Sequence, residues 1–153
     1  MYKKILIAID GSELSFTALR NGLKLAQILG ADVVVVTVTE KWSALEVAAQ
    51  VRCGENHPIE QYEEAAREAA SNIAEQGKNV ADELNTDFRF IHVADQHPAM
   101  GIVSLAKEQG CDLIVMGSHG RSGLEKVLLG SVAQNVLTLS PIPVLVEKSA
   151  TSE

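Results

Sequence analysis

The stretch of sequence that decides the fold is LIVMGSHGRSGLEKVLLGS, residues 113–131. Its leading apolar residues predict a buried strand, the glycines after them predict a turn, and Gly130 and Ser131 are predicted to open a helix. Glycines let backbone N–H groups approach a ligand without interference from a Cβ, and a helix N-terminus favours negative charge. The stretch therefore indicates a phosphate-binding turn, although the same glycines also suit a plain turn between a strand and a helix.

The rest of the chain repeats this alternation of short apolar runs and longer amphipathic segments. Strands are predicted over residues 3–9, 32–38, 88–93, 112–116 and 143–146. The second, fourth and fifth are nearly continuous in Val, Ile and Leu, which is typical of parallel strands that are buried on both faces. The pattern predicts an α/β fold with an open five-stranded parallel sheet and helices on both faces.

Helices are predicted between these strands. The first follows Ser12, a residue type that caps helix N-termini, and ends at Gly30. A long helix over residues 59–85 carries apolar residues at alternating steps of three and four, which predicts a face that packs on the sheet. A shorter helix ends at Gly110, and Pro141 stops the last one, for which Ser131 is a candidate N-cap.

A single domain is predicted to span residues 1–148. Within it, residues 40–58 are irregular, with enough apolar residues for a turn or two of helix, and are either a lid or a variable insertion. The tail, residues 149–153, is predicted to be frayed.

Composition excludes several classes of partner. A formal charge of −7 argues against a nucleic-acid surface, which needs concentrated Lys and Arg, but it allows a single bound nucleotide held by backbone amides. No apolar run is as long as a membrane span, and the first residues lack the pattern of an export signal. With only two cysteines and no C-x-x-C motif, a cytoplasmic location is expected.

Three blocks of this sequence together resemble the ATP-binding type of the universal stress protein family. The blocks are KKILIAIDGS at residues 3–12, CDLIVMGSHG at residues 111–120 and SPIPVLV at residues 140–146. The spacing of Gly117, Gly120, Gly130 and Ser131 resembles that family's nucleotide-binding motif. The resemblance implies a Rossmann-like sheet with strand order 3-2-1-4-5. In such sheets ligands bind beyond the carboxyl ends of the strands, at the point where the order reverses.

The resemblance also implies which residues bind the nucleotide. The positions it indicates are Ala8, Asp10, Val38, Met116, Gly117, Gly120, Gly130, Ser131 and Val132. Arg121 is added to them because its positive charge lies in the same glycine-rich stretch and could neutralise phosphates. The resemblance implies that the backbone of Val38 recognises adenine, and that Asp10 contacts the ribose or a Mg²⁺ or Mn²⁺ ion that bridges the phosphates. His119, inside the glycine turn, is either a phosphate contact or a residue that faces solvent.

The motifs favour nucleotide binding over catalysis. Asp10 is the only carboxylate that the sequence places near the phosphates, and no general base for fast hydrolysis is recognisable. The predicted function is therefore an ATP-binding sensor or regulator of the stress response, with at most slow hydrolysis. The alternatives are an interaction module that does not bind nucleotides, an adenine-nucleotide hydrolase, or a binder of AMP or a cyclic nucleotide. The resemblance further implies a homodimer through the last strand, at Val144, Leu145 and Val146.

Overall fold

The computed structural model describes residues 1–120 and 129–150. The elements, in chain order, are β1 (Lys4–Ala8), α1 (Glu13–Leu29), β2 (Asp32–Val38), α2 (Ala44–Arg52), α3 (Pro58–Glu83), β3 (Arg89–Val93), α4 (Pro98–Glu108), β4 (Leu113–Gly117), α5 (Ser131–Leu139) and β5 (Val144–Glu147). Each predicted strand forms; β2 has the predicted ends, and no end of the other strands is shifted by more than one residue.

The strands form one five-stranded sheet in the order β3-β2-β1-β4-β5, and every neighbouring pair is parallel. In the central strand, Ile5 is paired with Val33 on one side and with Leu113 on the other. The predicted fold class and strand order are confirmed. The order reverses between β1 and β4, so their carboxyl ends diverge into the helices on opposite faces and leave a crevice between them.

Helices cover both faces of the sheet because successive strand residues point to opposite sides. Ile5 and Ile7 of β1 pack in one core cluster with Leu19 and Leu23 of α1. On the opposite face, Leu6 is buried in a second cluster with residues of α4 and α5. These two cores hold the strand ends in place, and the candidate site lies on those ends.

The helix ends follow the sequence closely, with one exception. Ser12 caps α1 by accepting a hydrogen bond from the N–H of Ser15 at 3.2 Å, and Gly30 ends the helix with a φ of 65°. The prediction of Ser131 as an N-cap is wrong. Gly130 occupies the N-cap position with extended backbone, and Ser131 is the first helical residue. The hydroxyl of Ser131 therefore does not cap α5.

Residues 40–58 are more ordered than the sequence indicates. They contain α2, a helix of nine residues with a capping box between Ser43 and Glu46. No residue of α2 is buried, so this helix lies on the surface. Whether the segment closes over a ligand stays a prediction. Within residues 1–120 and 129–150, no helix is both long and apolar enough to cross a membrane.

Candidate functional site

A cavity of about 580 Å³ opens at the carboxyl ends of β1, β2 and β4. Nine of the ten residues that the sequence indicates as nucleotide-binding line it, namely Ala8, Asp10, Val38, Met116, Gly117, Gly120, Gly130, Ser131 and Val132. They come from both turns at the reversal of strand order. Arg121, the tenth, lies outside the described residues. The cavity is within the range of volumes that small-molecule sites occupy.

Asp10 is held at the end of β1 by the start of α1. Its Oδ1 accepts a hydrogen bond from the N–H of Ser12 at 2.9 Å, and its own N–H donates to Oγ of Ser15 at 3.3 Å. The glycine turn approaches so closely that a Cβ on Gly120 would overlap Oδ2 of Asp10. A glycine is therefore needed at position 120 because the two turns touch.

Gly130 lies against Ser118 and His119, the residues that directly follow β4. The N–H of Gly130 donates to the carbonyl of Ser118 at 2.6 Å, and the N–H of Ser118 donates to the carbonyl of Glu147 at 2.7 Å. A Cβ on Gly130 would lie 3.1 Å from Cα of His119 and 3.2 Å from the carbonyl oxygen of Ser118. Both neighbours are backbone atoms and cannot move aside. This closure places the N-terminus of α5, with its N–H groups, at the cavity.

His119 lies on the cavity wall, half-buried, with its Nδ1 and Oγ of Ser118 3.0 Å apart. The structure thus places it closer to a bound ligand than a solvent-facing turn residue would be. Besides Asp10, Glu40 at the exit of β2 is a carboxylate that lines the cavity.

The backbone of Val38 faces the open side of the cavity. The N–H of Ile9 donates to the carbonyl of Val36 at 2.9 Å, whereas the N–H of Thr39 donates to the carbonyl of Val93 at 2.8 Å. Alternate residues of a strand direct their backbone groups to the same neighbour. Since Val36 faces the β1 side, Val38 does too, just beyond the point where the β1 chain turns away at Asp10.

Sequence reasoning missed one wall of the cavity. The first half of α3 contributes Tyr62, Ala65, Ala66 and Ala69, and the exit of β2 contributes Thr39 and Glu40. The sequence predicts that the α3 stripe packs on the sheet. Among the residues of that stripe, however, Ile73 and Gly77 are buried whereas Tyr62 and Ala66 are only half-buried and line the cavity. In the first half of this stripe, alanines stand where larger apolar residues would fill the space. That feature of the sequence could have indicated a cavity here.

One titratable side chain, Tyr62, lies on this wall, and a second, His92, contacts Thr39 of the wall. The hydroxyl of Tyr62 donates to the carbonyl of Glu40 at 2.8 Å. Burial, with Glu46, Glu40 and Asp95 adding to it, raises the pKa of Tyr62, so its hydroxyl keeps its proton at neutral pH. His92 lies with Nε2 2.8 Å from Oγ1 of Thr39. Burial lowers the pKa of His92, with Asp95 opposing the effect, and the ring is therefore neutral at neutral pH.

The side chains here do not form a metal site by themselves. Over the described parts of the chain, no three His, Cys, Asp or Glu residues cluster in a way that suits a metal ion. One carboxylate at Asp10 does suit the way Mg²⁺ is usually bound, through one or two carboxylates together with substrate phosphates and water. Asp10 therefore fits a divalent cation only when a phosphorylated ligand supplies further oxygens.

The chain is similar to known proteins over its whole length. Residues 1–148 match the profile of the universal stress protein family. Universal stress protein MJ0531 of Methanocaldococcus jannaschii is 33% identical over 153 residues, which cover 100% of this chain and 86% of that protein. Universal stress protein YxiE of Bacillus subtilis is 35% identical over 150 residues, 95% of this chain and 99% of the other.

Solved structures agree with the sequence comparison. The structure of MJ0577 from M. jannaschii has a TM-score of 0.76 at 32% identity, and the match covers 99% of both chains. A universal stress protein solved in complex with cAMP has a TM-score of 0.63 at 27% identity, again over 99% of both chains.

Proposed function

The chain belongs to the universal stress protein family, and from this premise we propose that it binds ATP in the cavity at the carboxyl edge of its sheet. The observation that carries the proposal is that residues from three separate parts of the sequence, around Asp10, Val38 and Gly117, line one cavity. Backbone N–H groups at the start of α5, from Ser131 onward, are suited to phosphates, and the apolar residues Ala8, Met116 and Val132 are suited to a base.

The phosphate arm of the ligand is bound by backbone rather than by side-chain charge. A hydrogen bond to a charged group is worth about 1.5–3 kcal/mol, so three or four of them give near-micromolar affinity for ATP. A protein with a net charge of −7 can hold a polyphosphate in this way, because the N–H dipoles act locally. Arg121 is proposed to add a positive charge from the same turn.

Equilibrium dialysis with ATP tests the proposal. Gly130→Val would force a side chain against the backbone of residues 118 and 119, and we expect ATP affinity to fall by more than about tenfold. Gly77→Ala is the matched control, because it also replaces a glycine, and its new Cβ would meet Leu19 and Phe88 at 3.3 Å, away from the cavity wall. Equal ATP affinity in wild type and Gly130→Val would sink the binding claim.

The nucleotide preference is the next question that this site raises. A relative at 27% identity binds cAMP, and an AMP or cyclic-nucleotide binder is the alternative ligand class for this chain. Affinities for ATP, ADP, AMP and cAMP, measured side by side, distinguish these ligands. Tighter binding with each added phosphate supports the proposal, and a preference for cAMP over ATP would replace it. Mass spectrometry of nucleotide carried through purification gives an independent answer.

A divalent cation, Mg²⁺ or Mn²⁺, is proposed to bridge the phosphates beside Asp10. When bound, such an ion neutralises phosphate charge. Asp10→Asn keeps the Oδ1 atom that accepts from Ser12 but removes the carboxylate charge. We expect ATP affinity measured with Mg²⁺ to fall in this variant while affinity measured with EDTA changes little. An equal loss in both conditions would exclude the metal role and leave Asp10 as a ribose contact.

The proposed biological role is that of a cytoplasmic sensor or regulator of the stress response, with at most slow hydrolysis. Asp10 and Glu40 are the carboxylates among the described residues of the cavity wall. Oδ1 of Asp10 is already engaged by the N–H of Ser12, which favours a structural or ligand-binding role over that of a base. ATP turnover above about 1 per second, an ordinary rate for an enzyme, would contradict this proposal.

A homodimer through β5 is proposed from the edge of the sheet. β5 is the last strand in the order, paired with β4, and Leu145 is 39% exposed. On the neighbouring α5, Leu137 and Leu139 are 43% and 46% exposed. An apolar edge of this kind favours pairing with a second copy. Light scattering after size-exclusion chromatography tests it: a dimer that Leu145→Lys dissociates supports the proposal, and a monomer at high micromolar concentration contradicts it.

A further inference from the structure

The exit of β2, residues 38–40, is held from three sides by other elements. From α4, Gly101 packs so tightly that a Cβ there would lie 3.0 Å from both Cγ1 and Cγ2 of Val38. From β3, Nε2 of His92 meets Oγ1 of Thr39 at 2.8 Å. From α3, the hydroxyl of Tyr62 donates to the carbonyl of Glu40 at 2.8 Å.

The contact between Tyr62 and Glu40 differs from the other two because it lies outside the sheet. Val38 and Thr39 are still next to the sheet, where the N–H of Thr39 is bonded to Val93. Glu40 has left the sheet, and the hydroxyl of Tyr62 comes from 22 residues further along the chain, on a helix whose first half lines the same cavity. One hydrogen bond thus joins the exit of β2 to the cavity wall.

We propose that Tyr62 is a positioning residue for base recognition, which it serves by fixing the carbonyl of Glu40 and through it the backbone of residues 38–40. The proposal rests on the proposed nucleotide site, and it names the part of that site on which Tyr62 acts. Residues 38–40 line the base side of the cavity, whereas the phosphates are assigned to the turns at Gly120 and Gly130. The effect of Tyr62 is therefore confined to one end of the ligand.

The chemistry of the hydroxyl suits this role. A phenol donates one hydrogen bond and keeps its proton well above neutral pH. The carboxylates of Glu46, Glu40 and Asp95 make loss of that proton harder still. The donor is consequently present at every physiological pH. Within residues 1–120 and 129–150, Tyr62 is the side chain that donates a hydrogen bond to the carbonyl of Glu40.

Tyr62→Phe tests the proposal, because it keeps the ring on the cavity wall and removes only the donor. Tyr2→Phe is the control: Tyr2 packs against the core cluster that contains α1 and does not line the cavity. Affinities for three probes are measured by calorimetry, namely ATP, adenosine and inorganic tripolyphosphate. The loss of one neutral hydrogen bond predicts about three- to tenfold weaker binding of ATP and adenosine, with tripolyphosphate unchanged.

Thr39→Val provides a second variant on the same segment. It removes the hydroxyl that meets His92 and is expected to give the same split between adenosine and tripolyphosphate. The split is the readout that a purely structural role would not produce. If Tyr62→Phe weakens all three probes equally, or weakens none while wild type binds ATP, the positioning role is wrong. If wild type binds neither ATP nor tripolyphosphate, the proposed function itself fails.

Discussion

The exits of β4 and β2 lie on the same cavity but are built in opposite ways. After β4, the N–H of Gly130 bonds back to the carbonyl of Ser118. A Cβ has no room at Gly120, which faces the Asp10 carboxylate, or at Gly130, which faces the backbone of residues 118 and 119. After β2, ordinary residues leave the sheet, and side chains from α3 and β3 hold them by hydrogen bonds at 2.8 Å. The β4 exit is constrained at its own glycines, whereas the β2 exit is held by side chains from α3 and β3.

This difference has a functional consequence. At Gly130 the neighbouring backbone leaves no space for a Cβ, so an added side chain must displace that backbone. A strand exit held by hydrogen bonds can be loosened in small steps, since each bond contributes about 1 kcal/mol. We therefore expect substitutions at the β4 exit to give large losses of phosphate binding. Substitutions around the β2 exit should give small losses that are limited to the base.

The largest effect is expected from Gly120→Ala. The new Cβ would overlap Oδ2 of Asp10, so the Asp10 carboxylate must turn away from Gly120, and the ligand contacts that depend on its position are disturbed. Losing one or two charged hydrogen bonds predicts about 10- to 100-fold weaker binding of both ATP and tripolyphosphate. Calorimetry with both ligands measures it, with Gly77→Ala, away from the cavity wall, as the control for loss of a glycine. Unchanged tripolyphosphate affinity would show that the contact between the turns is irrelevant to phosphates.

The same contrast explains how much could be predicted from the sequence. The apolar runs 32–38 and 112–116 predict buried parallel strands because burial on both faces leaves little room for polar residues. The order of the strands required the family resemblance, since periodicity does not record which strands pair. At the β4 exit, the closely spaced glycines after an apolar run indicate the turn directly from the sequence.

No comparable sequence pattern indicates how the β2 exit is held. Thr39, Glu40 and Tyr62 are unremarkable residue types for a loop and a helix, and their roles arise only when α3 is laid over the sheet. The wrong assignment of Ser131 as an N-cap has a related cause. A serine beside a glycine is the better capping residue by propensity, but the backbone contact at Gly130 fixes where α5 begins.

Gly101→Ala is expected to have an intermediate effect at the β2 exit. An alanine methyl would press on both methyl groups of Val38, 3.0 Å away, and shift the segment by a few tenths of an ångström. Adenosine affinity should fall about threefold to tenfold, with tripolyphosphate affinity unchanged. Helix propensity favours alanine over glycine by up to about 1 kcal/mol. We therefore expect the free energy of unfolding of Gly101→Ala not to fall below that of wild type. Such a loss of affinity without a loss of stability would separate positioning from folding.

Gly77→Ala is the matched control for that substitution. It also lies within a helix, and its new Cβ would meet Leu19 and Phe88 at 3.3 Å, away from the cavity wall. We expect it to leave affinities for both probes unchanged. Equal losses of adenosine affinity in the two variants would mean that any crowding of the core reaches the site, and the distinction between the two exits would be lost.

The smallest effect is expected from the pH dependence of the His92 contact. Burial lowers the pKa of His92 from 6.5, so between the folded value and 6.5 the unfolded chain binds more protons than the folded chain. Stability therefore falls as the pH is lowered through 6.5 and stops falling, as far as His92 is concerned, below its folded pKa. His92→Gln keeps a polar group near Thr39 and does not titrate.

Free energies of unfolding from urea titrations at pH 7.5, 6.0 and 5.0 measure this effect. The stability difference between wild type and His92→Gln should shrink as the pH falls. Adenosine affinity of wild type should weaken over the same interval, because a protonated ring must donate to Thr39 and the hydrogen bond between them is rearranged. Tripolyphosphate affinity should show no dependence on His92. A pH effect of His92 on both probes would mean that the two exits respond as one unit.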